Sequence, residues 1–326
     1  MSPRAGRLAL PASATLGLAL AFAPAAARAC DSSSCALVTR GQNGLVPKGG
    51  LRLDLSYRHT DDGVGLEGSR ATDRVYRPKV ALELGRIWPA FHRERGGHER
   101  FLQLDVGYGL GARTTLLASV PLFADRSYRI AHGAFEEDYG TTGFGDVLLG
   151  VRRALGGGGL VAGFSVKLPT APYREGGDFD GTILDPMLQR GSGSWDLVST
   201  AQYSGRIASW LVDWSLVGSY QVNTGNSLGY RFGNLTVLAA GAGRTVAGPV
   251  GATLQLKFVH EARHHFRGEA VPSTGSRLWY LTPGLRVRLP GRSSAYGLVQ
   301  LLPHRHVNDT QLAPRAAVLA GVSKTF

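Results

Sequence analysis

Leu51, Leu53, Leu55 and Tyr57 alternate with Arg52, Asp54, Ser56 and Arg58, so one face of the segment is apolar and the other charged. A period of two marks an extended strand. The alternation returns at Leu102, Leu104, Val106 and Tyr108 against Gln103, Asp105, Gly107 and Gly109. It returns again at Trp210, Val212, Trp214, Leu216 and Tyr220 against Asp213, Ser215, Ser219 and Gln221. Less clean versions occupy residues 79–85, 113–122, 143–153, 160–169, 195–203, 235–244, 252–261, 278–289, 296–302 and 315–326. These runs have roughly the ~9 to 11 residues that a tilted strand needs to cross a bilayer.

The connections alternate as well. Residues 109–112, 156–159, 205–209, 247–251 and 290–294 read as short turns, whereas 123–142, 171–193 and 263–277 are long and polar. Outer-membrane barrels have this asymmetry, with short periplasmic turns and long external loops. The expected fold is therefore all-β, a transmembrane antiparallel β-barrel of the bacterial outer membrane. Thirteen candidate strands cannot close such a barrel, because single-chain bacterial barrels use an even number. Residues 60–99 break the long-short alternation and are the weak place in the count, so twelve strands are expected, with fourteen as the alternative.

Composition agrees with this reading. The chain has 326 residues, 43% hydrophobic and 18% charged, with 45 Gly and a formal charge of +12, which excludes a disordered tail, a disulfide-rich miniprotein and a coiled coil. Arg4 and Arg7 precede an apolar run from Leu8 to Ala23, and Ala27 and Ala29 are small residues at the cleavage-determining places. Residues 1–29 thus read as a secretory signal peptide. Residues 30–49 form a leader, to be read as disordered, as a periplasmic lid or as a plug in the lumen, and 50–326 form a single barrel domain. Cys30 and Cys35 read as a local disulfide, with lipidation of Cys30 as the rival. After Ala23 no apolar stretch approaches the ~20 residues of a membrane helix.

If the apolar faces meet lipid, the opposite faces define the interior. That places Arg52, Asp54, Arg58, Asp105, Arg113, Asp146, Arg152, Lys167, Asp196, Asp213, Lys257, Arg286, Arg288 and Arg315 on a channel lining, with Lys79 and Glu83 beside them. Such density of charge does not make a dry core, so water, ion pairs or a polar ligand must fill it. The expectation is a narrow, charged channel for passive passage of small organic solutes, without catalysis and without a cofactor. Trp195, Trp210, Trp214, Trp279 and Tyr57 suit interfacial girdles, outer-membrane lipids are the surrounding partner, and nucleic acid is not expected for an exported chain. The last strand, ending at Phe326, would be read by the barrel-assembly machinery; Lys324 on its apolar face can snorkel.

Two rivals remain: a barrel enzyme acting on lipid or peptide, and a structural or adhesive barrel. His260-Glu261-Ala262-Arg263-His264 fits the H-E-x-x-H zinc motif, but it follows the alternation of Leu254, Leu256 and Phe258, and on a strand end two histidines four apart do not share a metal. His264, His265, His304 and His306 fall in external loops and are weak metal candidates, so no metal site is assigned.

Four strings carry a family resemblance: Tyr108-Gly109-Leu110-Gly111-Ala112-Arg113-Thr114 through Val120-Pro121; Gly143-Phe144-Gly145-Asp146-Val147-Leu148-Leu149-Gly150; Lys167-Leu168-Pro169-Thr170; and Gly191-Ser192-Gly193-Ser194-Trp195-Asp196. In this order they resemble the outer-membrane channel family labelled "meta-pathway of phenol degradation". The resemblance spans roughly residues 102–221 and departs at Gly111 and Ala171, where the family has Thr and Gly. It implies a channel for small hydrophobic or aromatic compounds.

Overall fold

The computed structural model describes residues 45–326 apart from 133–134, 158 and 178–180. Cys30, Cys35 and the expected signal peptide lie outside the described residues.

Twelve strands form one closed ring: β1 (Leu51–Asp62), β2 (Arg86–Gly111), β3 (Thr114–His132), β4 (Leu148–Leu155), β5 (Leu160–Lys167), β6 (Asp196–Ile207), β7 (Val212–Val222), β8 (Leu235–Ala247), β9 (Val250–Glu261), β10 (Ser276–Leu289), β11 (Ser293–Val307) and β12 (Ala316–Thr325). Each is antiparallel to its neighbours in sequence, and β1 closes the ring by pairing with β12, with Leu55 opposite Val322. Closure removes both sheet edges, so every ladder group along the wall has a partner inside the sheet, as a strand in hydrocarbon requires.

The hydrophobic residues are on the outside. Leu55, Leu116, Leu149, Phe164, Leu197, Leu216, Leu238, Leu254, Leu285, Val299 and Val322 are all more than a third exposed. In water so continuous an apolar band would drive association; around a closed barrel it is the lipid-facing belt. Trp195, Trp210 and Tyr57 are likewise exposed, and Trp279 packs on Phe258 with ring centroids 5.0 Å apart.

Two readings of the sequence need correction. The run at 79–85 is not a stave of the barrel: the strand Val75–Ala81 pairs only with the outer half of β2, Lys79 facing Trp88. Residues 123–142 are not a polar loop either. β3 continues to His132 and returns as the strand Phe135–Gly143, with Tyr128 opposite Tyr139. Above the bilayer the outward face meets water, so the apolar alternation fades although the ladder persists. The wall is consequently lopsided, with 26 residues in β2 against 8 in each of β4 and β5.

Candidate functional site

Since the Leu and Val positions of each strand face lipid, the alternate positions face the lumen. These bring together Arg52, Asp54 and Arg58 from β1, Asp105 from β2, Arg152 from β4, Lys257 from β9 and Arg286 from β10. Asp54, Asp105 and Arg152 are 3%, 6% and 1% exposed, so side chains fill the middle of the barrel. Long side chains reach one another across inward glycines. Tyr296 on β11 lies over Gly321 of β12 and donates its hydroxyl to Asp54 Oδ1 at 2.7 Å. Arg152 passes over Gly163 of β5 and donates from Nη2 to Gln202 Oε1 at 2.6 Å. A Cβ at either glycine would meet these side chains.

Elsewhere in the interior Gln103 Nε2 donates to Asp105 Oδ1 at 2.9 Å, and Arg286 Nη2 to Ser294 Oγ at 2.9 Å. Aromatic rings face Lys257 and Arg58. Lys257 Nζ stands 4.2 Å from the Tyr280 centroid, and Phe101 lies between the Arg58 and Arg126 guanidinium groups, at 4.9 and 5.7 Å. Across the barrel, on β7 and β8, the inward residues Val217, Val237 and Ala239 pack with Leu235 and Val259 as a small apolar cluster, on a face that also carries Ser215, Ser219 and Gln221.

Asp146, Lys167 and Asp196 occupy the outer rim above the short β4–β5 wall, where three of the four motif strings meet. Asp146 Oδ1 accepts from Ala171 N at 3.0 Å, and its Oδ2 accepts from the backbone N and Oγ of Ser192, both at 2.8 Å. Thr170 Oγ1 accepts from Val147 N at 2.9 Å. Lys167 pairs with Asp196 and donates to Ser192 Oγ at 2.6 Å, while Asp196 Oδ1 takes bonds from Ser194 Oγ and Thr224 N at 3.0 Å each. This knot ties the 171–193 connection to the rim, so its acceptors already serve structure.

The remaining residues expected on the lining lie apart from it. Arg113 occupies the two-residue turn between β2 and β3 and is exposed, because Gly111 pairs directly with Thr114. Asp213 and Arg288 are exposed near the periplasmic ends of their strands, Asp213 beside Arg206 at 3.7 Å and Arg288 donating to the Gly248 carbonyl at 3.0 Å. Arg315 is outside the barrel mouth, paired with Asp61 at 3.0 Å. Lys79 is buried in the outer extension, and Glu83 accepts from Ile183 N at 3.2 Å.

Segments of the chain lie over both mouths. At the periplasmic mouth the chain turns back at residues 47–50, where Gly50 N donates to the Pro47 carbonyl at 2.9 Å and Gly49 takes a φ of +74°, open to glycine. The turn sends Leu45 and Val46 into the lumen, 9% and 3% exposed, and Val46 N donates to Thr115 Oγ1 at 2.9 Å. Gly107 and Gly109 make the seat: a Cβ at Gly109 would collide with the Pro47 carbonyl, and one at Gly107 would press on Val46.

At the outer mouth the long connections interlock. Val80, Leu82, Tyr230, Phe266 and Val271 form one buried cluster joined by Ile183, drawing on four connections. Asp185 Oδ1 accepts from Val80 N at 2.8 Å. Here the histidines of the sequence motif disperse. His264 is buried, its Nε2 3.0 Å from Glu261 Oε1 and its Nδ1 2.7 Å from the Tyr230 hydroxyl. Burial pushes that phenol well above its usual range, so it stays protonated. His306 bonds Ser69 Oγ at 2.9 Å, His265 faces Arg231, and His304 is exposed on β11. Among the described residues no group of three or more His, Cys, Asp and Glu is placed to hold a metal.

Sequence reasoning selected charges and so passed over the neutral groups that position them: Tyr296, Gln202, Tyr280, Phe101 and the inward glycines 107, 109, 163 and 321. The signal was the parity of their positions, shared with Asp54 and Arg152.

No family model matches the chain, and no curated protein matches it in sequence. Solved structures do match in fold. The chain is similar to the COG4313 outer membrane channel from Pseudomonas putida F1, at 16% identity over 89% of this chain and 100% of that one, with a TM-score of 0.57. It is more distantly similar to the beta domain of the Bordetella autotransporter Brka (10% identity, 86% and 100% covered, TM-score 0.49). The P. putida toluene transporter TodX also matches (11% identity, 86% and 90% covered, TM-score 0.41). The fold is that of a bacterial outer-membrane barrel.

Proposed function

We propose that this barrel is a passive conduit for small organic solutes across the outer membrane, closed in the conformation described and opened by withdrawal of the segment at residues 45–47 from the periplasmic mouth. The observation that carries the reading is the interior: a lipid-facing wall encloses buried ionic side chains, and a barrel that served only as an anchor would be cheaper to fill with apolar ones. Twelve strands lie between the eight-stranded barrels filled by side chains and the sixteen-stranded open porins, which suits a narrow path cleared by side-chain movement. The motif resemblance supports hydrophobic or aromatic solutes. Arg152, Arg286, Lys257, Asp54 and Asp105 line the path, and Phe326, exposed at the end of β12, is the signal for the assembly machinery.

Liposome swelling tests this. Vesicles carrying the refolded chain are expected to swell in isosmotic solutions of small organic solutes faster than protein-free vesicles, and more slowly as solute size grows. A folded barrel, shown by heat-modifiable migration, that leaves swelling at the protein-free rate would contradict the conduit.

A further inference from the structure

Charge is sorted along the barrel axis. Every described Asp and Glu except Asp213 lies in the lumen or toward the outer ends of the strands. Cations instead ring the periplasmic end, one at each turn and one where the barrel closes. Arg113 lies between β2 and β3, Arg153, Arg206 and Arg244 near the ends of β4, β6 and β8, Arg292 between β10 and β11, and Lys324 near the end of β12. All six are exposed, as are Arg288 and Lys48 beside them. Against these eight positive charges stand two negative ones, Asp213 and the α-carboxylate of Phe326. Asp213 lies 3.7 Å from Arg206, Arg288 donates to the Gly248 carbonyl at 3.0 Å, and Lys324 stands 4.7 Å from the Phe326 centroid. The side chains of Lys48, Arg113, Arg153, Arg244 and Arg292 have no hydrogen bond or ion pair among the described residues. The next carboxylates inward, Asp54 and Asp105, are buried in the lumen.

This collar is continuous with the lipid-facing belt. Arg153 follows Leu149 and Val151 on the outward face of β4, Arg244 follows Leu238 and Ala240 on that of β8, and Lys324 follows Val318 and Val322 on that of β12. Between the cations the turns expose Leu155, Trp210, Leu211, Val246 and Leu289, each by 43% to 69%. A soluble acidic partner would need its cations gathered on one side. Cations spread round the whole ring, among exposed apolar side chains, fit an annulus of lipid.

We infer that the periplasmic collar binds the phosphate headgroups of anionic phospholipids in the periplasmic leaflet, its apolar turn residues seated among the upper acyl carbons. The inference concerns the lipid-facing side of the barrel and holds whether or not the lumen conducts. A guanidinium fork matches two phosphate oxygens, and long cationic side chains lay their stems on apolar surface while the charge reaches the headgroups. Each cation close to an anionic surface favours contact roughly fivefold, an effect that salt screens beyond a Debye length of about 10 Å at 0.1 M.

The test presents the full-length folded protein, in micelles, with equal amounts of phosphatidylglycerol and phosphatidylethanolamine of the same acyl chains, and reads the retained lipid by native mass spectrometry. Phosphatidylglycerol is expected to be retained roughly tenfold over phosphatidylethanolamine at low salt, and less as salt is raised. The double variant Arg153→Gln, Arg244→Gln, its folding checked by heat-modifiable migration, is expected to lose at least about fivefold of that preference. Arg277→Gln, an exposed position near the outer end of β10, is expected to leave it unchanged. Equal retention of the two lipids by the parent overturns the inference whether or not any variant folds, as does a folded double variant with undiminished preference. A loss as large in Arg277→Gln would move the lipid contact to the outer rim, and a soluble polyglutamate bound more tightly than phosphatidylglycerol would assign the collar to an acidic protein; either result overturns it.

Discussion

The two mouths of the barrel are covered by different means. The outer mouth is sealed by Val80, Leu82, Tyr230, Phe266 and Val271, none more than 4% exposed and supplied by three connections, with Ile183 from a fourth. At about 1.5–3 kcal/mol for each buried side chain, that cluster is worth on the order of 10 kcal/mol before its hydrogen bonds and the cost of ordering its connections are counted. The periplasmic mouth is occupied by Leu45 and Val46, worth about 3–6 kcal/mol together by the same measure, plus about 1 kcal/mol for the bond to Thr115. Ordering residues 45–47 costs about 1–2 kcal/mol each, which brings the sum within a few kcal/mol of zero. One closure is part of the folded wall. On the proposed reading the other is a reversible seat.

The largest expected effect comes from removing the seat. Gly109→Val places a side chain where the Pro47 carbonyl lies and should expel the segment, raising single-channel conductance of the full chain from near zero to a resolved step. If Gly109→Val stays as closed as its parent, the glycine seat does not control the pore.

Next is the outer cap. Phe266→Ala opens a cavity in its cluster and is expected to cost about 3–5 kcal/mol locally, exposing the outer connections to added protease while the lumen stays closed. A rise in conductance as large as that of Gly109→Val would erase the distinction between the mouths.

A smaller change is expected of Thr115→Val, which keeps shape and removes the one bond to Val46 N. At about 1 kcal/mol the open fraction should rise roughly fivefold, readable as open probability without a change in step size.

Smallest is the response of the outer ties to acid. The Arg263 guanidinium, 2.7 Å from Asp309, holds that carboxyl below the usual carboxylate range. A depressed carboxylate stabilises the fold above its unfolded value and loses that contribution as pH falls through the folded one, so this tie is intact at neutral pH and released in acid. Protease sensitivity of residues 262–275 should therefore rise below about pH 4 in the parent and be independent of pH there in Asp309→Asn.

The wall was legible because the barrel turns the usual order inside out. Lipid demands an apolar residue at every outward position, so Leu51 to Tyr57 and Leu102 to Tyr108 announce their faces without ambiguity. That demand ends at the rim. On β2 the outward positions above Leu102 become Arg100 and His98, polar on a face that now meets water, and the outer extension reads as loop although its ladder continues. Arg113 was misplaced by a single residue, since period does not fix where a two-residue turn begins. The interior charges shared parity, but their partners did not follow from it. Whether Gly107 and Gly109 are a weak strand or a seat depends on a segment some 60 residues earlier, and only the fold brings the two together.

The most direct test compares, in planar bilayers, the single-channel conductance of the mature chain with that of a chain beginning at Gly49, both checked for folding by heat-modifiable migration. The expected result is brief, rare openings for the mature chain and stable steps for the shortened one. Equal conductance in the two, or silence in both, would contradict a conduit gated at its periplasmic mouth.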